Sequence, residues 1–120
     1  RFAFRRNEAN MGGKSLVSHW NLLVDFCDTE YLIMASDDDV YEPKFLEEID
    51  ALVEKYPKVD ILRAKAKRVE NGKVTIVDFN LDEYMTFAQF AYTFGQLPIV
   101  CCLANYVFRT SRLKRTGLFP

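Results

Sequence analysis

The chain of 120 residues has no long hydrophobic run, no excess of either charge and very little cysteine or histidine. Each absence removes a class of protein. The longest apolar stretches fall well short of the roughly 20 residues that a membrane-spanning helix needs, and the opening residues show no signal-peptide pattern. A net charge of −1 provides no broad basic face, which argues against nucleic acid as the main partner. Three cysteines, Cys27, Cys101 and Cys102, are an odd number without metal-ligand spacing. They indicate a reducing, cytoplasmic compartment, with the inner face of a membrane as an alternative placement. The single histidine, His19, sits beside Trp20 on a helical pattern and reads as a surface or partly buried residue, not a catalytic one. Lys14 follows Gly12-Gly13, but the phosphate-loop pattern G-x-x-x-x-G-K-[ST] is missing. Linkers, repeats and low-complexity segments are also missing, so residues 1–120 read as one domain. With 49% hydrophobic residues there is enough apolar material for a core.

What is present is organised as alternating strands and helices. Residues 1–6 alternate apolar and basic, as a half-buried strand does. Asn7 to Gly13 is a polar loop, and from Lys14 to Phe26 the spacing of Leu16, Trp20, Leu23 and Cys27 predicts a helix. Residues 31–36 form the next strand, and a strand–helix–strand order implies a parallel pair. Pro43 opens a second helix, whose apolar face is Phe45, Ile49, Leu52, Val53 and Tyr56 and whose stop is Pro57. Strands are expected over 59–66 and 73–79, joined by the turn Asn71-Gly72. A helix over 85–94 carries Phe87, Phe90 and Phe94 as a core stripe, with Asp82 and Glu83 as capping residues at its start. Tyr84 and Tyr92 are candidates for stacking on an acceptor. A strand over 99–108 holds Cys101-Cys102 as small apolar residues, and Thr110 or Ser111 caps a short final helix. The sum is one α/β domain.

The chemistry concentrates in Tyr31-Leu-Ile-Met-Ala-Ser36-Asp37-Asp38-Asp39-Val-Tyr-Glu-Pro43. A strand-sized apolar segment ends in three adjacent carboxylates, and a proline-led helix follows. Like charges this close repel one another, and a hard divalent cation turns that repulsion into binding. Ligands of open α/β sheets sit outside the carboxyl ends of the strands, where this cluster falls. Alternate side chains of an extended chain point to opposite sides, so three successive aspartates cannot ligate one ion equally. Asp38 with one neighbour is the expected pair, and which two of Asp37, Asp38 and Asp39 hold the ion stays open. Mn²⁺ or Mg²⁺ suits such a set. The plainer reading is a solvated acidic turn at the N-terminus of the helix after Pro43. Arg109, Arg112, Lys114 and Arg115 form a basic cluster that could meet a diphosphate, though a solvated helix face accounts for it as well.

The order of motifs resembles the family 2 glycosyltransferases of the GT-A fold. It runs Asn10-Met-Gly12-Gly13, a helix with Asn21, Glu30-Tyr-Leu-Ile, Ser36-Asp-Asp-Asp39, Pro43-Lys-Phe-Leu46, then Val107-Phe-Arg109 and Gly117-Leu-Phe119. The resemblance covers essentially the whole chain, most strongly residues 30–46. It implies a Rossmann-like three-layer sandwich with a mixed, mainly parallel sheet. It also implies transfer of a sugar from a nucleotide-diphosphate sugar to the hydroxyl of a glycan or lipid-linked acceptor, with inversion. Asp38 matches the family carboxylate that ligates the cation bridging the diphosphate, with Asp39 supporting that metal site. Asp37 matches a position that contacts the ribose in some members. Asn10 and Gly12 match a loop that closes near the nucleotide, and Ser36 stands where many members have the first aspartate of the motif. The family's first nucleotide-binding strands would precede Arg1 and its general base would follow Pro120, so the chain is expected to be a piece of a larger protein. Missing strands would leave an exposed sheet edge at 1–6 or its neighbour and promote self-association. Two other classes compete. A phosphatase of the haloacid dehalogenase type also ends a strand in Asp-x-Asp, a spacing that Asp37 to Asp39 provide, but the surrounding threonine and lysine motifs are missing. A non-catalytic α/β interaction module would leave the acidic turn merely exposed.

Overall fold

The computed structural model describes residues 4–11, 15–97 and 102–119. Among these residues, four α-helices and five short strands follow one another in a mixed α/β order. Helix α1 (Leu16–Asp25) starts at Ser15, whose hydroxyl accepts from the Ser18 N–H and satisfies one of the open donors of the first turn. Its inward face keeps Trp20 and Cys27 of the expected Leu16, Trp20, Leu23 and Cys27 line but not the two leucines. Val24 is 1% exposed, whereas Leu16 and Leu23 are exposed, so the helix is rotated toward Trp20, Asn21 and Val24. Asn21 explains the rotation. Its side-chain amide donates to the Phe119 carbonyl (3.0 Å) and its oxygen accepts from the Phe119 N–H (2.9 Å), locking α1 to the Gly117-Leu-Phe119 segment. The Phe119 ring then lies edge-on between Trp20 (6.0 Å) and Phe108 (5.7 Å).

Strand β1 (Tyr31–Ile33), helix α2 (Phe45–Lys55) and strand β2 (Ile61–Arg63) follow. The five apolar positions expected on one face of α2 and its end are all half-buried. Strand β5 (Tyr106–Arg109) lies between β1 and β2 and is antiparallel to both, with Leu32 opposite Phe108 and Leu62 opposite Val107. It follows that β1 and β2 run in the same direction, joined across β5 by the α2 crossover. The core sits here, in Leu32, Leu62 and Val107, with Val24 and Ala104 beside them. The expected parallel pairing of residues 1–6 with 31–36 is not seen. Residues 1–3 lie outside the described residues, 4–6 form no strand, and every ladder among the described residues is antiparallel.

The hairpin also differs from expectation. Asn71 (φ 51°) and Gly72 (φ 73°) form the two-residue turn, both in the left-handed region that a type I′ turn requires. A two-residue turn needs strands flush against it, so the partners are β3 (Lys67–Glu70) and β4 (Lys73–Val77), not 59–66. The chain leaves the main sheet at Arg63, and an ion pair between Arg63 and Asp78 clasps the base of the hairpin.

Helix α3 (Phe87–Gln96) begins in a capping box between Thr86 and Gln89. Asp82 and Glu83 are therefore not its caps. The expected aromatic stripe is not core, because no residue of α3 is buried and Phe87 is 85% exposed. The strand expected over 99–108 is shorter. Residues 98–101, Cys101 among them, lie outside the described residues, Leu103–Asn105 is a 3-10 turn, and only Tyr106–Arg109 pairs, so Cys102 precedes the strand. Helix α4 (Thr110–Arg115) has no side-chain cap. Thr110 is its first residue, and its buried hydroxyl has no partner among the described residues.

Candidate functional site

The geometry of the sheet decides which residues share an edge. β1 and β2 end, and β5 begins, on the same side, so the turn after β1, the start of the hairpin and the 102–105 segment meet there. Ser36, Asp37, Asp38 and Asp39 are all exposed on that turn. Two contacts hold it to the 102–105 segment. The Tyr41 hydroxyl donates to the Ala104 carbonyl (2.9 Å), and the Cys102 thiol lies 3.8 Å from Asp39 Oδ2. Burial, followed by the charges of Asp39 and then Cys102, raises the Tyr41 pKa above its ordinary value, so the phenol stays protonated and able to donate. The Tyr41 ring packs on Phe45 at 4.7 Å, tying the turn to the first residue of α2. Below it is a cavity of about 260 Å³ lined by Ile33, Ala35, Tyr41, Pro43, Phe45 and Leu46, with Glu42 at its rim. Glu42 also pairs with Lys67 of the hairpin at 3.4 Å.

Asp37 and Asp38 carry no hydrogen bond or ion pair among the described residues. Their lone pairs are open to a cation, and this donor set is of the hard-oxygen kind that Mg²⁺ and Mn²⁺ take, with water or phosphate completing the shell. Among the described residues, no three carboxylate, cysteine or histidine side chains are gathered closely enough to enclose an ion by themselves. Asn10 is exposed in the loop before α1, and Gly12 lies outside the described residues.

The residues around the turn that the pattern did not single out are Tyr41, Cys102 and the Arg63–Asp78 pair. The Asp78 side chain is 0% exposed; it also accepts from the N–H groups of Ala66 (3.4 Å) and Phe79 (3.0 Å), and Arg63 lies 5.8 Å from the Tyr106 ring. Asn105, buried beside it, donates to the Ala64 carbonyl (3.0 Å). A lone Asp78 after a strand gives no sequence signal of this kind.

The basic cluster lies elsewhere. Arg109 is paired with Tyr31, the first residue of β1, so it lies at the opposite end of the strands from the aspartates. Its guanidinium bonds Glu30 and the carbonyls of Pro57 (2.6 Å) and Val59 (3.1 Å), stacks on Tyr31 at 4.7 Å and lies 3.6 Å from Asp60. Arg112 binds Asp60 at 2.8 Å, and Lys114 donates to the Asp25 and Cys27 carbonyls at 3.3 and 2.8 Å. Arg109, Arg112 and Lys114 thus hold loops together, while Arg112, Lys114 and Arg115 are exposed, as the solvated-face reading expects. Tyr84 is likewise remote from the aspartates, next to Tyr56 at the far end of α2. No helix among the described residues is long and apolar enough to cross a membrane.

Compared with protein-family models, with curated proteins and with solved structures, the chain matches none of them.

Proposed function

We propose that the chain carries the cation-binding part of a family 2 glycosyltransferase of the GT-A fold, which transfers a sugar from a nucleotide-diphosphate sugar to an acceptor hydroxyl. The observation that carries this reading is the exposed Asp37-Asp38-Asp39 turn, separated from the end of β1 by Met34, Ala35 and Ser36, with Asp37 and Asp38 unpartnered among the described residues. Asp38, with Asp37 or Asp39, would hold Mn²⁺ or Mg²⁺. Such an ion supplies Lewis-acid neutralisation of charge on a departing nucleoside diphosphate. The chain's own contribution is positional. Tyr41 and Cys102 fix the turn against the 102–105 segment, so the carboxylates are presented without the entropic cost of ordering a free loop. The remaining one of Asp37 and Asp39 is free to accept from a ribose hydroxyl, and Ser36 can donate next to it.

The test is calorimetric titration of nucleoside diphosphates into the chain, with and without Mn²⁺, alongside Asp38→Asn. Binding of one nucleotide that requires Mn²⁺ and weakens at least about tenfold in the variant is expected, a loss of about 1.4 kcal/mol. Absence of Mn²⁺ binding, with or without nucleotide, or Mn²⁺ binding unchanged in Asp38→Asn, overturns the proposal.

A further inference from the structure

At the carboxyl-terminal end of α2 lies a second cavity, of about 360 Å³, lined by Lys55, Tyr56, Pro57, Lys58, Val59 and Tyr84. It shares no residue with the carboxylate turn. The 11 residues of α2 separate the two, a distance of roughly 16 Å at the rise of an α-helix. The Tyr56 and Tyr84 ring centroids are 5.4 Å apart with planes inclined at 33°, so the two rings make a wedge-shaped shelf. Tyr84 is 58% exposed. The shelf is held from one side by Glu83, which accepts from both the Lys55 ammonium and the Tyr56 hydroxyl. Lys55 Nζ also lies 5.2 Å over the Tyr56 ring. Tyr56 is thereby pinned at its hydroxyl and beside one face before any ligand arrives, which lowers the ordering cost of binding.

The chemistry of the lining selects a ligand. Two inclined tyrosine rings cannot sandwich a flat base, but their apolar faces and wet edges suit a puckered ring with C–H groups on one face and hydroxyls at its rim. Among the lining charges, Lys55 is neutralised by Glu83, while Lys58 is exposed and has no partner among the described residues. One uncompensated cation thus stands at the side of the shelf. We infer that the Tyr56–Tyr84 shelf is a carbohydrate subsite for an anionic sugar, with the sugar ring on the tyrosines and its carboxylate or phosphate at Lys58. The subsite does not depend on the proposed function, and failure of either leaves the other standing.

The experiment follows the tyrosine side-chain NMR signals of the chain during titration with a short oligogalacturonide, the neutral oligogalactoside of equal length, and inorganic phosphate. The acidic oligomer should shift the Tyr56 and Tyr84 signals and bind about tenfold more tightly than the neutral one, a difference that shrinks as salt is added. Tyr84→Ala should weaken binding about tenfold, and Lys58→Gln should remove the preference for the acidic oligomer. Asp38→Asn should change neither, because it lies at the other end of α2. Tyr84 and Lys58 are exposed, so the fold survives these substitutions, as circular dichroism would verify. No binding of the acidic oligomer, equal binding of both oligomers, indifference to Tyr84→Ala, or equal shifts from phosphate alone each overturns the inference.

Discussion

At the scale of single residues, two charged groups are expected to behave measurably differently from their neighbours. The first is Asp78, fully buried against Arg63, whose side chain is 10% exposed. Removing one member of a buried pair leaves the other charge without its counter-ion, which costs about 3–5 kcal/mol. The two backbone donors that Asp78 accepts would lose their partner as well. Asp78→Ala is therefore expected to destabilise the chain by about 3 kcal/mol or more in urea unfolding, whereas Asp82→Ala, at an exposed position, should lie within about 0.5 kcal/mol of the parent chain. Equal effects of the two would show that the clasp contributes little. The second group is Glu83, whose carboxyl is held below its ordinary pKa by hydrogen bonds from Lys55 and then Tyr56. Because the folded value is the lower one, this contribution is present above the ordinary carboxylate pKa and is lost as pH falls through the depressed value. Lys55 is shifted upward, first by its bond to Glu83, so its share is present below the ordinary lysine pKa and lost as pH rises through the raised one. The Tyr56–Glu83–Lys55 cluster should accordingly be intact across the neutral range. Its groups are exposed, so salt weakens it. A carbon-detected titration of the Glu83 carboxyl should give a midpoint below the ordinary glutamate value, and a midpoint at that value would contradict the shift.

At the scale of elements, the hairpin is the sharpest case. Asn71 and Gly72 both adopt positive φ, and a Cβ built on Gly72 would meet nothing within 4 Å. The cost of Gly72→Ala is then purely that of backbone conformation, about 1 kcal/mol. Hydrogen exchange should quicken in Lys67–Glu70 and Lys73–Val77 and stay unchanged in β1, β5 and β2; an unaffected hairpin would refute the assignment of the strain. The same turn shows what a sequence reveals about structure. Asn-Gly is a local instruction, and it was legible, as were the helix after Pro43 and, over Tyr31–Ile33 of the expected 31–36, the strand before the aspartates, because each depends on residues adjacent in the chain. Features that depend on distant partners were not legible. Asn21 turns α1 away from its Leu16–Leu23 line by reaching Phe119, and Arg109 becomes a clamp because Glu30 and the Pro57–Asp60 segment surround it. The Phe87–Phe90–Phe94 stripe has the spacing of a core face, yet spacing alone cannot say whether a surface is there to cover it. For the site, the run of aspartates and its place at a strand end were readable, while Tyr41, Cys102 and the opposite location of the basic cluster follow only from strand order.

At the scale of the whole molecule, the ratio of surface to core is unusual. The accessible surface is 9635 Å², against roughly 6,700 Å² for a compact monomer of this mass. The radius of gyration of 15.6 Å likewise exceeds the roughly 14 Å of a compact domain of this length. The extra surface, roughly 3,000 Å², is comparable to the total area buried when two proteins form a large, stable interface. Much of it is apolar, including Phe87, Tyr92 and Phe94 of α3 and Val69, Val74, Ile76 and Val77 of the hairpin. The hairpin also has two unpaired edges among the described residues, and such edges recruit further strands. Hydrophobic burial is the main force that offsets chain entropy, so a molecule with this little of it gains from any contact that covers more. Self-association is the contact always available to a chain in its own solution. Sedimentation velocity over rising concentration should therefore show a mass that grows beyond that of the monomer, and thermal unfolding midpoints should rise with concentration, as mass action requires when the associated form is the folded one. The hairpin is the natural place to interrupt this, since charges on an edge strand oppose pairing. Val74→Lys should shift association to higher concentration without changing the signals of the β1–β5–β2 core. A monomeric mass and a concentration-independent midpoint at every concentration would show instead that the exposed apolar surface is tolerated by the isolated chain.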